Sequence, residues 1–485
     1  MTDQMAAGAT APSVPDHSRD RRWLALWVVS LAQLMIVVDV SVVNVALPSI
    51  GADLRLDRVS LTWVVTAYTL CFGGLLLLGG RLADVLGRRR TFVIGVGVFG
   101  VASLAAGVAQ TGMTLIAARA VQGAGAALVS PAALAIVTTT FDGAERNRAL
   151  GVWGSVAGAG VAIGVLASGV LVGLLGWRSV FFVNIPIIFA ILAATGGVVP
   201  PHHPGGSSRR VDVPGALLGM LAIAGLMVAL IAAGDRSRAG EATVVPLAVA
   251  VGLALLFIRR QRATADPLVA LGVVASRPLP ESLLAMLSGT GLLVGTFFLS
   301  SLYLQQVADV SALRTGVTFL PGAVTIILAS NISAAAVTRF GPRPVAAVGF
   351  AVAAGGLLLL SRLRLDAVVE IDVLPGIVFA SAGLGAVLVT ASTTAMSRVE
   401  PAAAGVTSGV LNTAHEIGAS LGVALTSTIV GATTAAGAAR GMPSVAGFGR
   451  AFIVCAAVAC VAAAAMPAVL PSRRPDAAAQ AGAGH

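Results

Sequence analysis

No lysine occurs anywhere in the 485 residues, so the positive charge of the chain rests on 31 arginines. A Walker A loop needs a lysine on the β- and γ-phosphates, and a Schiff-base enzyme needs an amine, so both chemistries are excluded. Charge of either sign is scarce. Only 11% of residues are charged, well below the soluble norm of about a quarter, and 57% are hydrophobic. A single soluble core stops growing near about 250 to 300 residues, and this composition lacks the charged surface that several soluble domains would need. The solvent for most of the chain is therefore lipid. Cysteine is rare too: Cys71, Cys455 and Cys460 all lie in apolar runs and read as small core residues, not disulfide or zinc ligands. The formal charge of +10 does not mark a nucleic-acid binder, because the arginines fall in short clusters without a basic stripe interleaved with aromatics.

What is present is a series of fourteen apolar runs, each close to the roughly 20 residues that cross a bilayer as a helix. They cover about 23–46, 61–79, 91–109, 113–138, 149–173, 180–199, 213–233, 243–258, 281–304, 316–337, 343–361, 373–396, 404–431 and 448–470. The expected fold class is an all-α polytopic membrane protein. The first run has no small-residue cleavage site after it and reads as a retained helix, not a signal peptide. Placing both termini in the cytoplasm puts 20 arginines inside, 10 outside and Arg119 within a helix, and that bias sets the expected orientation. A Pro, Gly and Ser-rich stretch, 200–212, reads as a linker, and Arg259 to Pro280 reads as a surface connector. The expected organisation is a tail (1–22), a six-helix bundle (23–199), a linker with two extra helices (200–280), a second six-helix bundle (281–470) and a tail (471–485).

Four motifs give the chain a resemblance. They are Asp39-Val-Ser-Val-Val-Asn-Val-Ala-Leu-Pro48 in the first run, and Gly80-Arg-Leu-Ala-Asp84-Val-Leu-Gly87-Arg88-Arg89-Arg90 after the second. The fourth run contributes Arg119-Ala-Val-Gln122-Gly123, and the ninth ends in Tyr303-Leu-Gln-Gln-Val307 followed by Leu320-Pro321. Together they resemble the major facilitator superfamily, in particular its 14-helix drug:proton antiporters of the EmrB/QacA type. The resemblance implies two six-helix bundles plus two extra helices, and antiport by alternating access. It also implies that Gly80, Asp84, Gly87, Arg88 and Arg89 form a gating loop that clamps inner helix ends; the plain alternative is a positive-inside loop. One departure stands out. Where such antiporters carry Gly-Pro and then a glycine pair in the fifth helix, this chain has Gly164-Val165 and Ser168-Gly169. Without proline no kink is forced, yet Gly154, Gly158, Gly160 and Gly164 leave a face that packs closely. The second-half counterpart of the loop, Arg339-Phe-Gly-Pro-Arg343, lacks an Asp and takes no role.

Charges at membrane depth are costly and default to functional candidates. At a rise of about 1.5 Å per residue, Asp39 lies roughly 13 Å from the outer end of its helix and Arg119 roughly 10 Å from the same surface. Matched depths suit a pair in which a proton or cationic substrate competes with the arginine for the carboxylate; a static ion pair that only orders two helices is the alternative. Gln122, one turn from Arg119, could hydrogen-bond either partner. In the thirteenth run Asn412, His415 and Glu416 stand near mid-membrane, and a lone carboxylate there is a candidate for loading and releasing a proton. A zinc-protease reading of His415-Glu416 fails because position 419 is alanine. Gly123-Ala-Gly125 and Gly158-Ala-Gly160 follow no strand and are helix-packing glycines, not dinucleotide turns.

The expected function is proton-motive-force-driven efflux of a small amphipathic or cationic compound, such as an antibiotic or drug, by a protein that is not an enzyme. It would need no cofactor or metal and work as a monomer in the cell membrane, its partners being substrate, protons and lipid. The alternative is a secondary transporter for a dedicated endogenous metabolite. A polytopic enzyme or receptor would need a cluster of catalytic groups at one depth, or a soluble domain, and the sequence offers neither.

Overall fold

The computed structural model describes residues 17–141, 143–199, 212–233, 240–264, 267–268, 271–365, 367–397, 404–434 and 445–470. Among these residues there is no strand. The first half comprises α1 (His17–Leu54), α2 (Arg58–Leu86), α3 (Arg88–Gly107), α4 (Gly112–Thr140), α5 (Gly143–Leu175) and a sixth span broken at Val183 into α6 (Ser179–Phe182) and α7 (Asn184–Val198). Next come α8 (Val213–Ala233), α9 (Glu241–Ala263) and the short α10 (Leu271–Ala275). The second half comprises α11 (Leu279–Gln306), α12 (Ala312–Phe340), α13 (Pro342–Leu360), a π-helical turn (Val369–Val373) leading into α14 (Leu374–Met396), α15 (Ala404–Thr434) and α16 (Val445–Val469).

Helices are the natural answer to this composition, because lipid offers backbone amides and carbonyls no partner and an α-helix satisfies them internally. Among the described residues twelve helices are long and apolar enough to cross a membrane, and α5 and α15, at 33 and 31 residues, complete fourteen. The helices overrun the apolar runs: α1 reaches Leu54 and α2 Leu86, since hydropathy marks the hydrocarbon and polar residues continue the helix into the interface. The connector expected from Arg259 begins later for the same reason. Arg260 and Arg262 form the last turn of α9, where cations face the negative end of the helix dipole. Caps occur where chain ends meet water. Thr111 and Thr114 form a reciprocal capping box on α4, Asp57 accepts from the Ser60 amide at 2.9 Å, and Ser311 accepts from the Arg314 amide.

The two halves repeat one packing scheme. α2, α3 and α5 pair with α4, α4 and α1, and in the second half α12, α13 and α15 pair with α14, α14 and α11. The repeat extends to the turns. Gly87 at φ 90° and Gly341 at φ 86° each break two successive helices at equivalent places, in a backbone region where a side chain would be strained. The extra helices α8 and α9 pair with each other, and α8 lies against α2 and α15.

Contacts between the halves include hydrogen bonds at the end remote from the termini. Ser301 donates to the Asn44 carbonyl at 2.9 Å, and Gln305 donates to the Val45 carbonyl at 3.0 Å. One apolar core runs across this end, joining Val42, Val43 and Leu47 of α1 to Leu299 and Leu302 of α11. A second core, with Phe92, Phe99 and Val129, stays within the first half.

Candidate functional site

The buried polar centre of the first half grows from α1. Asp39 and Arg119 are each 1% exposed, and Arg119 Nη1 donates to Asp39 Oδ2 at 2.6 Å. Gln122 serves both partners: its Oε1 accepts from Arg119 at 2.7 Å and its Nε2 donates to Asp39 Oδ1 at 2.8 Å. Asn184 Nδ2 donates to the same carboxylate oxygen at 3.0 Å and to Ser103 Oγ at 3.0 Å, while Ser103 donates to the Phe181 carbonyl at 2.9 Å. Arg119 Nε reaches the Val64 carbonyl at 3.3 Å, and its guanidinium lies 4.1 Å from the centroid of the Tyr68 ring. Both carboxylate oxygens are thus taken, and the two opposite charges cancel in a place where a single charge would be untenable. Sequence reasoning had missed Ser103, Asn184 and Tyr68. Uncharged polar residues inside apolar runs were the available signal.

The three polar residues of α15 do not share that site. Asn412 is exposed, His415 Nδ1 lies 3.1 Å from Thr290 Oγ1 on α11, and Glu416 is half-buried against α2. Their neighbour is set by an antiparallel seam between α2 and α15, in which Thr62 and Ser427 hydroxyls meet at 2.7 Å and Thr69 pairs with Ser420. Farther along, a methyl at Gly73 would fall 2.5 Å from Glu416 Cβ, so the glycine makes room for that side chain. Among the described residues Glu416 has no hydrogen bond or ion pair. The expected cavity set therefore separates into a sealed first-half centre and a seam position on the second half.

Along the loop from Gly80 to Arg90, Arg89 donates to the Gly196 carbonyl at 2.9 Å and Arg81 to the Pro267 carbonyl at 3.1 Å. Arg88 keeps a buried Nε without a partner, and Asp84 is exposed with no ion pair among the described residues. At Gly80 a methyl would meet only Pro131, at 3.8 Å. On α5, Gly164 admits α1: an added methyl would lie 2.7 Å from Ser41 Cβ and 3.1 Å from Val38 Cα, and at Gly160 it would meet Val37 at 3.0 Å. The surroundings of Gly154 and Gly158 lie outside the described residues. Where the antiporter pattern has a glycine pair, Ser168 donates to the Val42 carbonyl at 2.9 Å, and a methyl added at Gly169 would lie 3.0 Å from Leu313 Cα of α12. α5 thereby touches both halves. No group of three or more metal-ligating side chains occurs among the described residues.

The family described as Major Facilitator Superfamily matches residues 29–423. The puromycin resistance protein pur8 of Streptomyces alboniger is 43% identical over 86% of this chain and 83% of its own. The lincomycin resistance protein of Streptomyces lincolnensis is 36% identical over 87% and 88%, and the multidrug efflux pump LfrA of Mycolicibacterium smegmatis 32% over 84% and 81%. Among solved structures, the POT family transporter PepTSo superposes with a TM-score of 0.66 over 94% of this chain and 98% of its own, at 15% identity, a likeness of fold alone. With its repeated six-helix halves and a match over most of its length, the chain belongs to the Major Facilitator Superfamily.

Proposed function

We propose that this protein exports a small amphipathic or cationic compound of the antibiotic or drug class in exchange for protons, working as a single chain in the cell membrane with both termini in the cytoplasm. The observation that carries the reading is the contrast between its two intramembrane carboxylates. Asp39 is saturated by Arg119, Gln122 and Asn184, whereas Glu416, where the two halves touch, has no partner among the described residues. A carboxylate that no fixed cation holds can take up and give up a proton as the two halves rearrange, which is what exchange requires. The names of the relatives support export of a drug as the direction and substrate class.

In this reading residues 23–199 and 281–470 are the moving halves, 200–280 carries the two added helices, and 1–22 and 471–485 are cytoplasmic tails. The halves are joined at the outer end through Ser301 and Gln305, while Asp84 at the inner end has no ion pair among the described residues. On this orientation the form described is read as open toward the cytoplasm, ready to admit substrate. Closing that end brings Asp84, Arg88 and Arg89 against neighbouring helix ends and separates the outer contacts, as alternating access requires. Asn412 and His415 line the path near Glu416, and Gly160 and Gly164 keep α5 tight on α1 as the half moves.

The test is uptake of puromycin and lincomycin into inverted vesicles. Uptake is expected to follow an imposed pH gradient, and Glu416→Gln should reach the membrane in normal amount yet lose that dependence. Uptake of neither compound, or uptake by Glu416→Gln with unchanged gradient dependence, overturns the assignment.

A further inference from the structure

The turn between α12 and α13 repeats the first-half turn in backbone but not in charge. Three residues before the paired glycines, Gly87 is preceded by Asp84 and Gly341 by Thr338. Two residues after them, Arg89 donates to the Gly196 carbonyl of α7, and Arg343 Nε donates at 2.5 Å to the Leu470 carbonyl just past α16. Arg343 is thus committed to tying α13 to its neighbour. Arg339 has no such counterpart, since Val85 stands at the matching place in α2. It is exposed, has no ion pair among the described residues, and its guanidinium carbon lies 5.2 Å from the centroid of the Phe340 ring. That ring borders a groove of about 340 Å³, walled by Ala336 and Phe340 of α12 and by Val345 and Val348 of α13. At its floor Gly349 and Gly383 bring α13 and α14 together: a methyl at Gly349 would lie 2.9 Å from the Gly383 carbonyl oxygen. The lining reaches along α13 from Pro344 to Val352, about 12 Å at the rise of a helix, close to the roughly 15 Å hydrocarbon of one leaflet. Helices α11, α12 and α15 meet the first half, whereas α13 packs on α14 and α16 of its own half, and the exposed Phe340 and Val348 turn the groove to the bilayer.

We propose that this groove binds one anionic phospholipid of the leaflet on the side of the chain termini, with an acyl chain laid between α12 and α13 and the phosphate held by Arg339. A convex helix surface touches a lipid chain on one side only, whereas the groove surrounds it and gains contacts on several. The arginine supplies the choice of headgroup. Its planar fork meets a phosphate with two parallel donors, and α12, α13 and α14 contain no acidic residue that would oppose the charge. A zwitterionic headgroup brings its own cation beside Arg339 and gains less. In the first half the carboxylate of Asp84 would repel the same headgroup, and Thr338 removes that obstacle here. The site lies within one half, so its occupant can stay while the halves move. It does not depend on the substrate carried or on the proton path.

Photocrosslinking reads the site directly. The full chain is reconstituted in phosphatidylcholine vesicles with a minor share of phosphatidylglycerol that carries a photoreactive group on its acyl chain, and the labelled peptides are mapped. Labelling should concentrate on 333–352 and 382–386 and exceed that by a phosphatidylcholine carrying the same group. At limiting lipid, Arg339→Gln should lower phosphatidylglycerol labelling of these peptides about fivefold, the worth of one arginine at an anionic surface, and leave phosphatidylcholine labelling unchanged. Arg339→Lys, which keeps the charge, should retain most of it. Ala336→Phe fills the groove and should reduce labelling by both lipids. If that variant fails to reach the membrane, Val348→Trp, at an exposed position, fills the groove from the facing wall. Equal labelling by the two lipids, or labelling spread evenly over the lipid-facing helices, would mean annular lipid only and overturn the site. Phosphatidylglycerol labelling that survives Arg339→Gln unchanged would overturn it as well. Glycerol 3-phosphate, a headgroup without a chain, should not compete at comparable concentration. If it does, the arginine alone holds the anion and the groove has no part in binding.

Discussion

Asp39 and Glu416 are both carboxylates at membrane depth, yet the protein treats them oppositely. Around Asp39, α1, α3, α4 and the α6–α7 span converge: Arg119 and Gln122 of α4 and Asn184 of α7 fill both oxygens with donors, and Ser103 of α3 accepts from Asn184. Around Glu416 the seam supplies a glycine, and no donor among the described residues bonds to the carboxylate. A saturated charge pair resists any change of protonation or position, because each partner lost leaves another buried and uncompensated. A bare carboxylate resists neither. The difference suggests a division of labour in which the first half holds its shape around a fixed electrostatic centre and the second half carries the group that changes.

The sharpest way to break that contrast is Arg119→Ala. It leaves Asp39 buried beside Gln122 and Asn184 without its counter-charge and removes the cation from the Tyr68 ring. A loss of about 3 to 5 kcal/mol is expected, enough to deplete the folded protein from the membrane. Thermal unfolding in detergent against the parent chain measures it, and a variant of near-parental stability would show that Asp39 is neutral or solvated in place. Asn184→Ala should come next. Asp39 keeps Arg119 and Gln122, and Ser103 loses one donor, so about 1.5 to 3 kcal/mol is expected, as for hydrogen bonds to charged groups. If Asn184→Ala cost as much as Arg119→Ala, the centre would depend on its hydrogen-bond count and not on charge cancellation.

Much of this frame was legible in the sequence. The fourteen spans follow from apolar runs of bilayer length, and the depths of Asp39 and Arg119 could be counted from their helix ends. The side on which a helix turns a given residue is another matter. Glu416 and His415 are adjacent in sequence, but one meets α2 and the other α11, and only the register of the α2–α15 seam decides which. Asn184 and Ser103 escaped notice because an uncharged polar residue in an apolar run can bond its own helix backbone, as Thr195 does with Ile191. That Asp84 has no ion pair among the described residues depends on how the helix ends are arranged, and no pattern of residue types encodes it.

A third carboxylate tests whether saturation or enclosure makes Asp39 costly to disturb. At the start of α8, Asp212 is as well supplied with donors. Its Oδ1 accepts from the Gly215 amide at 3.0 Å and from Arg260 Nε at 2.6 Å, and its Oδ2 accepts from Gln261 at 2.9 Å. These bonds fasten the entry of α8 to the end of α9. The carboxylates are alike in burial, Asp212 at 2% and Asp39 at 0% side-chain exposure, but their arginines differ: the Arg260 side chain is 39% exposed, against 1% for Arg119. Water can take over when a partner leaves, so Asp212→Ala should cost only what a lost helix cap costs, about 0.5 to 2 kcal/mol. Its pH dependence is also fixed in sign. Burial works to raise the Asp212 carboxyl, but the bonds from Arg260, the Gly215 amide and Gln261 prevail and hold it below the ordinary carboxylate range. Its contribution is therefore complete above an unfolded value of about 3.9 and is lost as pH falls through the lower folded value. Thermal unfolding of parent and Asp212→Ala at neutral pH and near pH 3 should show a gap that narrows on acidification. A gap as wide as that of Arg119→Ala would mean that donor count alone governs both sites, and the distinction between a carboxylate with a sealed arginine and one with a half-exposed arginine would then lose its physical basis.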